Sequence, residues 1–134
     1  MKRTASTFLI LIFTCLGFSA KAQHFAKLEK SAIIAFNESV MDYGTIAQGS
    51  NGTRTFTFVN KGNAPLIISE VKTSCGCTVP SYSKTPILPG QEGTLQINYD
   101  TKRLGSFSKT ITVISNAKTI KNILKIKGEV VTAN

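Results

Sequence analysis

The chain has no tryptophan and a single histidine, His24, among its 134 residues. Hydrolysis by a Ser-His-Asp or Cys-His arrangement needs an imidazole beside the nucleophile. His24 stands in a polar stretch near the expected mature N-terminus, where neither triad can be assembled. Acidic residues are also scarce: the seven Asp and Glu are scattered and offer no carboxylate pair for acid–base work. No glycine-rich loop opens a helix to cradle a phosphate, and no amphipathic helical period is present. Nor does any apolar run approach the ~20 residues that a membrane-spanning helix requires. The common enzyme chemistries are therefore excluded, and neither catalysis nor a cofactor is expected.

The N-terminus reads as an address. Lys2 and Arg3 precede an apolar core from Phe8 to Phe18, and Ala20-Lys21-Ala22 is an A-x-A cleavage site, the three parts of a secretory signal. Cleavage is expected after Ala22. Residues 1–22 are then a removed leader, 23–31 a flexible lead-in and 32–134 a single domain. Cys15 sits inside the apolar core, preceded by Thr14 instead of a small residue, so lipid attachment there is disfavoured and the cysteine is discarded with the leader. The mature chain has no transmembrane segment, and its expected location is periplasmic or extracellular.

Three of the sixteen Lys and Arg belong to the leader (Lys2, Arg3, Lys21), which leaves thirteen against seven acids and a mature formal charge of +6. Such a balance can mark a nucleic-acid binder. Export and the lack of a basic–aromatic motif argue against that here. An anionic envelope surface or an acidic partner would suit this charge, but a solvated basic face that keeps the protein soluble ranks ahead of both.

From Ala32 onward, short apolar runs alternate with Gly, Asn and Pro about every ten residues, the pattern of an all-β chain. Strands are predicted at Ala32–Phe36, Val40–Ile46, Thr53–Asn60, Leu66–Val71, Gly93–Asp100, Phe107–Ser115 and Ile120–Val131. Phe56 and Phe58 share one face of the third, Leu95, Ile97 and Tyr99 one face of the fifth. Gly44 is expected to bend the second strand, and Pro89-Gly90 fits the centre of a type II turn. Pro80 to Pro89 reads as a long connection. Leu66, Ile68 and Glu70 are assigned one face of the fourth strand. Lys109 interrupts an apolar face and should lie near an edge, while Lys125 and Lys127 suggest edge protection. About seven short strands in some 100 residues describe an immunoglobulin-like antiparallel β-sandwich. It is not of antibody type, since there is no tryptophan and cysteines two apart cannot pin opposite sheets together.

Those cysteines, Cys75 and Cys77, lie in Thr73-Ser74-Cys75-Gly76-Cys77-Thr78-Val79-Pro80. An extended backbone would hold their Cα atoms roughly 6.6 Å apart at ~3.3 Å per residue. Disulfides favour about 5.5–6 Å, and Gly76 lets the backbone pinch to close the gap. The pair is the candidate disulfide or redox couple, with Lys72 near enough to favour a thiolate. Two thiolates also suit Cu(I), so Cys75 and Cys77 are the only metal candidates, although no metal is assigned. A purely structural lock at the strand end ranks ahead of both.

Phe36, Asp42-Tyr43-Gly44-Thr45-Ile46, Asn60-Lys61-Gly62, Pro65-Leu66, Ser74-Cys75-Gly76-Cys77-Thr78, Pro89-Gly90, Gly93, Tyr99-Asp100 and Ser115-Asn116 occur in this order. The set resembles the bacterial domain-of-unknown-function family 1573. That resemblance implies an Ig-like fold related to the ASH and PapD-like groups, commonly on exported proteins, and no established activity. The expected function is an exported, non-enzymatic module that binds a protein or envelope component. The alternative is a thiol-redox or copper-handling protein acting through Cys75 and Cys77.

Overall fold

In the computed structural model, residues 27–134 are described. The expected leader, Cys15 and His24 lie outside them. Residues 27–30 are exposed and carry no regular structure. The rest forms eight strands: β1 (Ile34–Phe36), β2 (Val40–Ala47), β3 (Thr53–Asn60), β4 (Ile68–Thr73), β5 (Thr78–Tyr82), β6 (Glu92–Tyr99), β7 (Gly105–Ser115) and β8 (Lys121–Val131).

Two four-stranded sheets face one another, ordered β1-β3-β6-β5 and β2-β8-β7-β4. The apolar alternation decides which side of each strand turns inward. Phe56, Phe58, Leu95 and Ile97 from one sheet and Ile111, Val113, Leu124 and Ile126 from the other are fully or almost fully buried. Burying each such side chain stabilises the fold by about 1.5–3 kcal/mol. All belong to one continuous core.

The all-β sandwich agrees with the sequence pattern, with four differences. First, there are eight strands, because β5 falls inside the expected connection after Pro80. Pro80 is tolerated because β5 is an edge strand. It pairs opposite Ile97, three residues past the Cys77–Asp100 backbone bond and so at a position where the ladder makes no bond, and its missing N–H would have pointed away from the sheet. Second, the sandwich is not wholly antiparallel: β2 runs parallel to β8. Third, that same β2 takes the edge, so Lys125 and Lys127 on β8 sit on an inner strand and cover the sheet's solvent face without guarding an edge.

The fourth difference lies in β4, where the register shifts between Ile68 and Glu70. The bulge reverses the alternation and turns Glu70 outward, leaving Val71 and Thr73 half-buried. A similar shift between Asp42 and Thr45 follows the expected bend: Gly44 has φ +65° and its N–H donates to the Asp42 carboxylate at 2.8 Å. Lys109 lies on inner strand β7, but beyond Thr73–Ile111, the last β4 pair, so one side of β7 is open there. The Pro89-Gly90 turn is present, with Gly90 at φ +81° and the Gln91 N–H donating to the Leu88 carbonyl.

Candidate functional site

β4 belongs to one sheet and β5 to the other, so the chain crosses the sandwich between Thr73 and Thr78. Both cysteines fall in this crossing. The Thr78 N–H donates to the Cys75 carbonyl at 3.3 Å, which makes Cys75-Gly76-Cys77-Thr78 a turn and ends the extended backbone. The Cα atoms of Cys75 and Cys77 are 5.3 Å apart and their sulfurs lie within bonding distance. An extended chain would have held them farther apart; the turn brings them into the range that disulfides favour. Gly76 closes this gap without a left-handed conformation, and a Cβ added there would meet open space.

Neighbouring groups hold the turn from several sides. The Thr73 hydroxyl reaches the Cys75 carbonyl at 3.0 Å and the Thr78 carbonyl at 3.1 Å. The Asp100 N–H donates to the Cys77 carbonyl at 2.8 Å, and the Ser74 N–H to the Thr110 carbonyl at 3.0 Å. The two sulfurs are inequivalent. Cys77 is 4% exposed, with the Thr78 hydroxyl 3.9 Å from its sulfur. Cys75 is half-buried, and its sulfur accepts a 3.1 Å hydrogen bond from the Cys77 N–H. Lys72 does not face the pair alone: its ammonium is 3.6 Å from the Glu70 carboxylate in a solvent-exposed ion pair.

Beside the turn opens a shallow cleft of about 280 Å³, bounded by the Gly49–Gly52 loop, Cys77, Val79 and Asn98–Lys102. The Thr101 hydroxyl bonds to the Ser50 carbonyl, while the Ser50 hydroxyl is enclosed without a partner. An aromatic cluster lies nearby: Tyr99 stacks on Phe107 at 3.8 Å, and Tyr43 meets Phe107 edge-on at 5.3 Å. The Tyr43 hydroxyl donates to the Gly52 carbonyl at 2.8 Å, with the Arg54 guanidinium 4.4 Å from its ring centroid. Burial raises the Tyr43 pKa to about 12 despite the opposing pull of Arg54. Tyr43 therefore stays neutral and ties the second strand to the loop that walls the cleft. Among the described residues no group of three His, Cys, Asp or Glu is gathered as a metal site.

Sequence reasoning missed Asn60. Its side chain is fully buried at the opposite end of the sandwich. Its oxygen accepts from the Ile33 and Gly62 N–H groups at 3.3 and 3.0 Å; its nitrogen donates to the Ala64 and Ile87 carbonyls at 2.8 and 2.9 Å. The available signal was a polar residue at the inward-facing end of an otherwise apolar strand.

The chain belongs to the family described as Protein of unknown function (DUF1573), whose model matches residues 34–130. No curated protein matches. Among solved structures, a protein of unknown function from Porphyromonas gingivalis W83 is 21% identical, with a TM-score of 0.67 over 76% of this chain and 48% of that one. This chain thus spans about half the length of that protein. The ASH/PapD-like domain 7 of human CEP192 is 9% identical, with a TM-score of 0.65 over 78% of this chain and 89% of that domain. The CsuC–CsuE chaperone–tip adhesion subunit pre-assembly complex of Acinetobacter baumannii supplies a third likeness, 10% identical. Its TM-score is 0.53 over 74% of this chain and 56% of the other. At these identities the likeness is one of fold: a PapD-like, Ig-like sandwich. No helix among the described residues is long and apolar enough to cross a membrane.

Proposed function

We propose that this chain is an exported, non-enzymatic module that engages a protein partner through the loop end carrying Cys75 and Cys77. The observation that carries the reading is the held turn beside the cleft, where Val79 and Leu104 remain 59% and 54% exposed. A surface whose backbone is already ordered loses less freedom when a partner docks. Strand addition is a poorer route. β1 has three residues, β2 and β4 carry register shifts, and Pro80 removes the middle donor of β5. Each device blunts an edge. The likeness to a chaperone–subunit complex also supports protein binding by this fold.

A photo-crosslinker at Val79 should capture a discrete partner from envelope extract, and Val79→Asp in a pull-down should lose it. A crosslinker at Lys84 should capture none. Equal capture from both positions would overturn the assignment of this end.

The inequivalent sulfurs favour a second reading, thiol–disulfide exchange with a dithiol. The partner thiolate attacks Cys75 Sγ, the more accessible sulfur, and the Cys75–Cys77 bond breaks with its electron pair leaving on Cys77 Sγ. The partner's second thiolate then attacks the mixed disulfide and releases Cys75 as thiolate, which the Cys77 N–H stabilises. The partner ends as a disulfide and the pair, after taking two protons, as two thiols. The Cys75 thiolate of Cys77→Ser should attack a small symmetrical disulfide, releasing one half as thiolate and keeping the other as a mixed disulfide seen by intact mass, at least tenfold faster than Cys77 does in Cys75→Ser. Equal rates, or a pair that stays oxidised at every physiological potential, would sink it. Copper handling is the variant of this reading in which the reduced pair holds Cu(I) between two thiolates; a Cu(I) titration that leaves the metal entirely with a competing chelator would exclude it.

A further inference from the structure

The end of the sandwich opposite the cysteines differs in charge. Ser31 and Asn63 exchange hydrogen bonds, which pins the entering chain against the loop after β3. The Lys61 N–H donates to the Ile33 carbonyl, and the Lys118 N–H to the Ala32 carbonyl. Lys121 begins β8 at the same end, opposite Ile114. With Lys27 and Lys30 in the lead-in, five lysines gather here, alongside Glu29 in the lead-in, Glu92 opposite Val59, and Glu70, which pairs with Ile114 one strand away from Lys121. The cysteine end carries Asp100, Lys102 and Arg103, with Asp100 and Arg103 paired at 3.8 Å.

Large aliphatic side chains share the lysine end. Ile120 is 61% exposed and Leu88 50%, with Ile33 and Ile67 also exposed beside them. Their positions are fixed by backbone bonds: Ile120 to Ser115, Ile67 to Asn116, and Gly90, next but one to Leu88, to Asn60.

Exposed aliphatics ringed by lysines match the two parts of an anionic bilayer surface, its acyl boundary and its acidic headgroups. We propose that this end is a docking surface for anionic phospholipid, holding the domain with its cysteine end directed away from the membrane. The proposal rests on the exported-module reading only for its compartment. Lipid affinity and partner capture at Val79 are separate measurements, so one can fail while the other holds.

The chain has no tryptophan, so a single introduced indole reports its own surroundings. The chain from Gln23 onward, which contains both complete sheets, would carry Ile120→Trp or, at the opposite end, Leu104→Trp. Phosphatidylglycerol-containing vesicles should shift Ile120→Trp emission to the blue and leave Leu104→Trp unchanged. Phosphatidylcholine vesicles should shift neither. Lys61→Gln, Lys118→Gln and Lys121→Gln should each weaken sedimentation with the anionic vesicles by about fivefold, and salt should weaken it further. Lys102→Gln should leave it unchanged. Circular dichroism of each variant separates lost binding from lost folding. Equal binding to both lipids, equal loss from Lys102→Gln, or capture of an envelope protein at Ile120 without vesicle binding would each overturn the proposal.

Discussion

The side-chain amide of Asn60 donates to the Ile87 carbonyl at 2.9 Å and joins the end of β3 to the loop that leads into β6. The same side chain reaches three more backbone groups while fully buried. Asn60→Ala would leave several buried donors and acceptors unpaired, at about 1–3 kcal/mol for each group that finds no water. Urea unfolding should show a loss of at least ~2 kcal/mol. Asn60→Asp should also destabilise, because a carboxylate cannot donate to Ala64 and Ile87. Wild-type stability in either variant would show that water replaces the plug.

Two glycines should respond in opposite ways. A Cβ on Gly93 would lie 2.5 Å from the Phe58 ring and from Ile87 Cδ1, inside the core, whereas one on Gly76 would meet nothing within 4 Å. Gly93→Ala should cost about 1–3 kcal/mol through overpacking, and Gly76→Ala less than about 0.5 kcal/mol, as for an unconstrained surface site. Thermal unfolding of the pair checks this, and reversed ranking would refute it.

Alkaline stability should track Tyr43. Burial raises its pKa to about 12, above the ordinary tyrosine value of 10.0. The neutral form is favoured in the folded state, so this contribution is complete below pH 10 and is lost as pH rises through about 12. Tyr99 is shifted in the same direction, also chiefly by burial. The slope of unfolding free energy between pH 10 and 12 should therefore become shallower, but not flat, in Tyr43→Phe. The substitution should also cost about 1 kcal/mol near neutral pH, from the lost bond to Gly52.

Pro80 should matter more for association than for stability. Pro80→Val restores an outward N–H on an edge strand, next to the exposed Val79. Light scattering at high protein concentration should detect more self-association in Pro80→Val than in the parent, with an unfolding midpoint within ~1 kcal/mol of it. A monodisperse variant would mean that the edge is shielded by other means.

Much of the architecture was legible because its cause is local. The alternation at Phe56 and Phe58, or at Leu95, Ile97 and Tyr99, is a property of consecutive residues, and it named the buried faces correctly. Gly44 and Pro89-Gly90 marked a bend and a turn because positive φ is a local steric demand. The cysteines were singled out by spacing alone. Their inequivalence was not, since the burial of Cys77 depends on packing from elsewhere in the chain.

Tertiary structure decided what depends on partners distant in sequence. A bulge at Ser69 reversed the expected face of Glu70, and Pro80 became part of a strand because β6 offered a partner on one side only. The parallel pairing of β2 with β8 joins segments some 80 residues apart, a contact that no local period encodes. Asn60 reads from sequence as a polar strand end; only the convergence of Ile33, Gly62, Ala64 and Ile87 makes it a buried plug. The sequence by itself determined which residues need burial and where the backbone must turn, because period and sterics act over a few residues. Sheet order, pairing direction and the unequal exposure of the two sulfurs were left to the folded chain, where long-range hydrogen bonds and packing select among arrangements that local preferences leave equivalent.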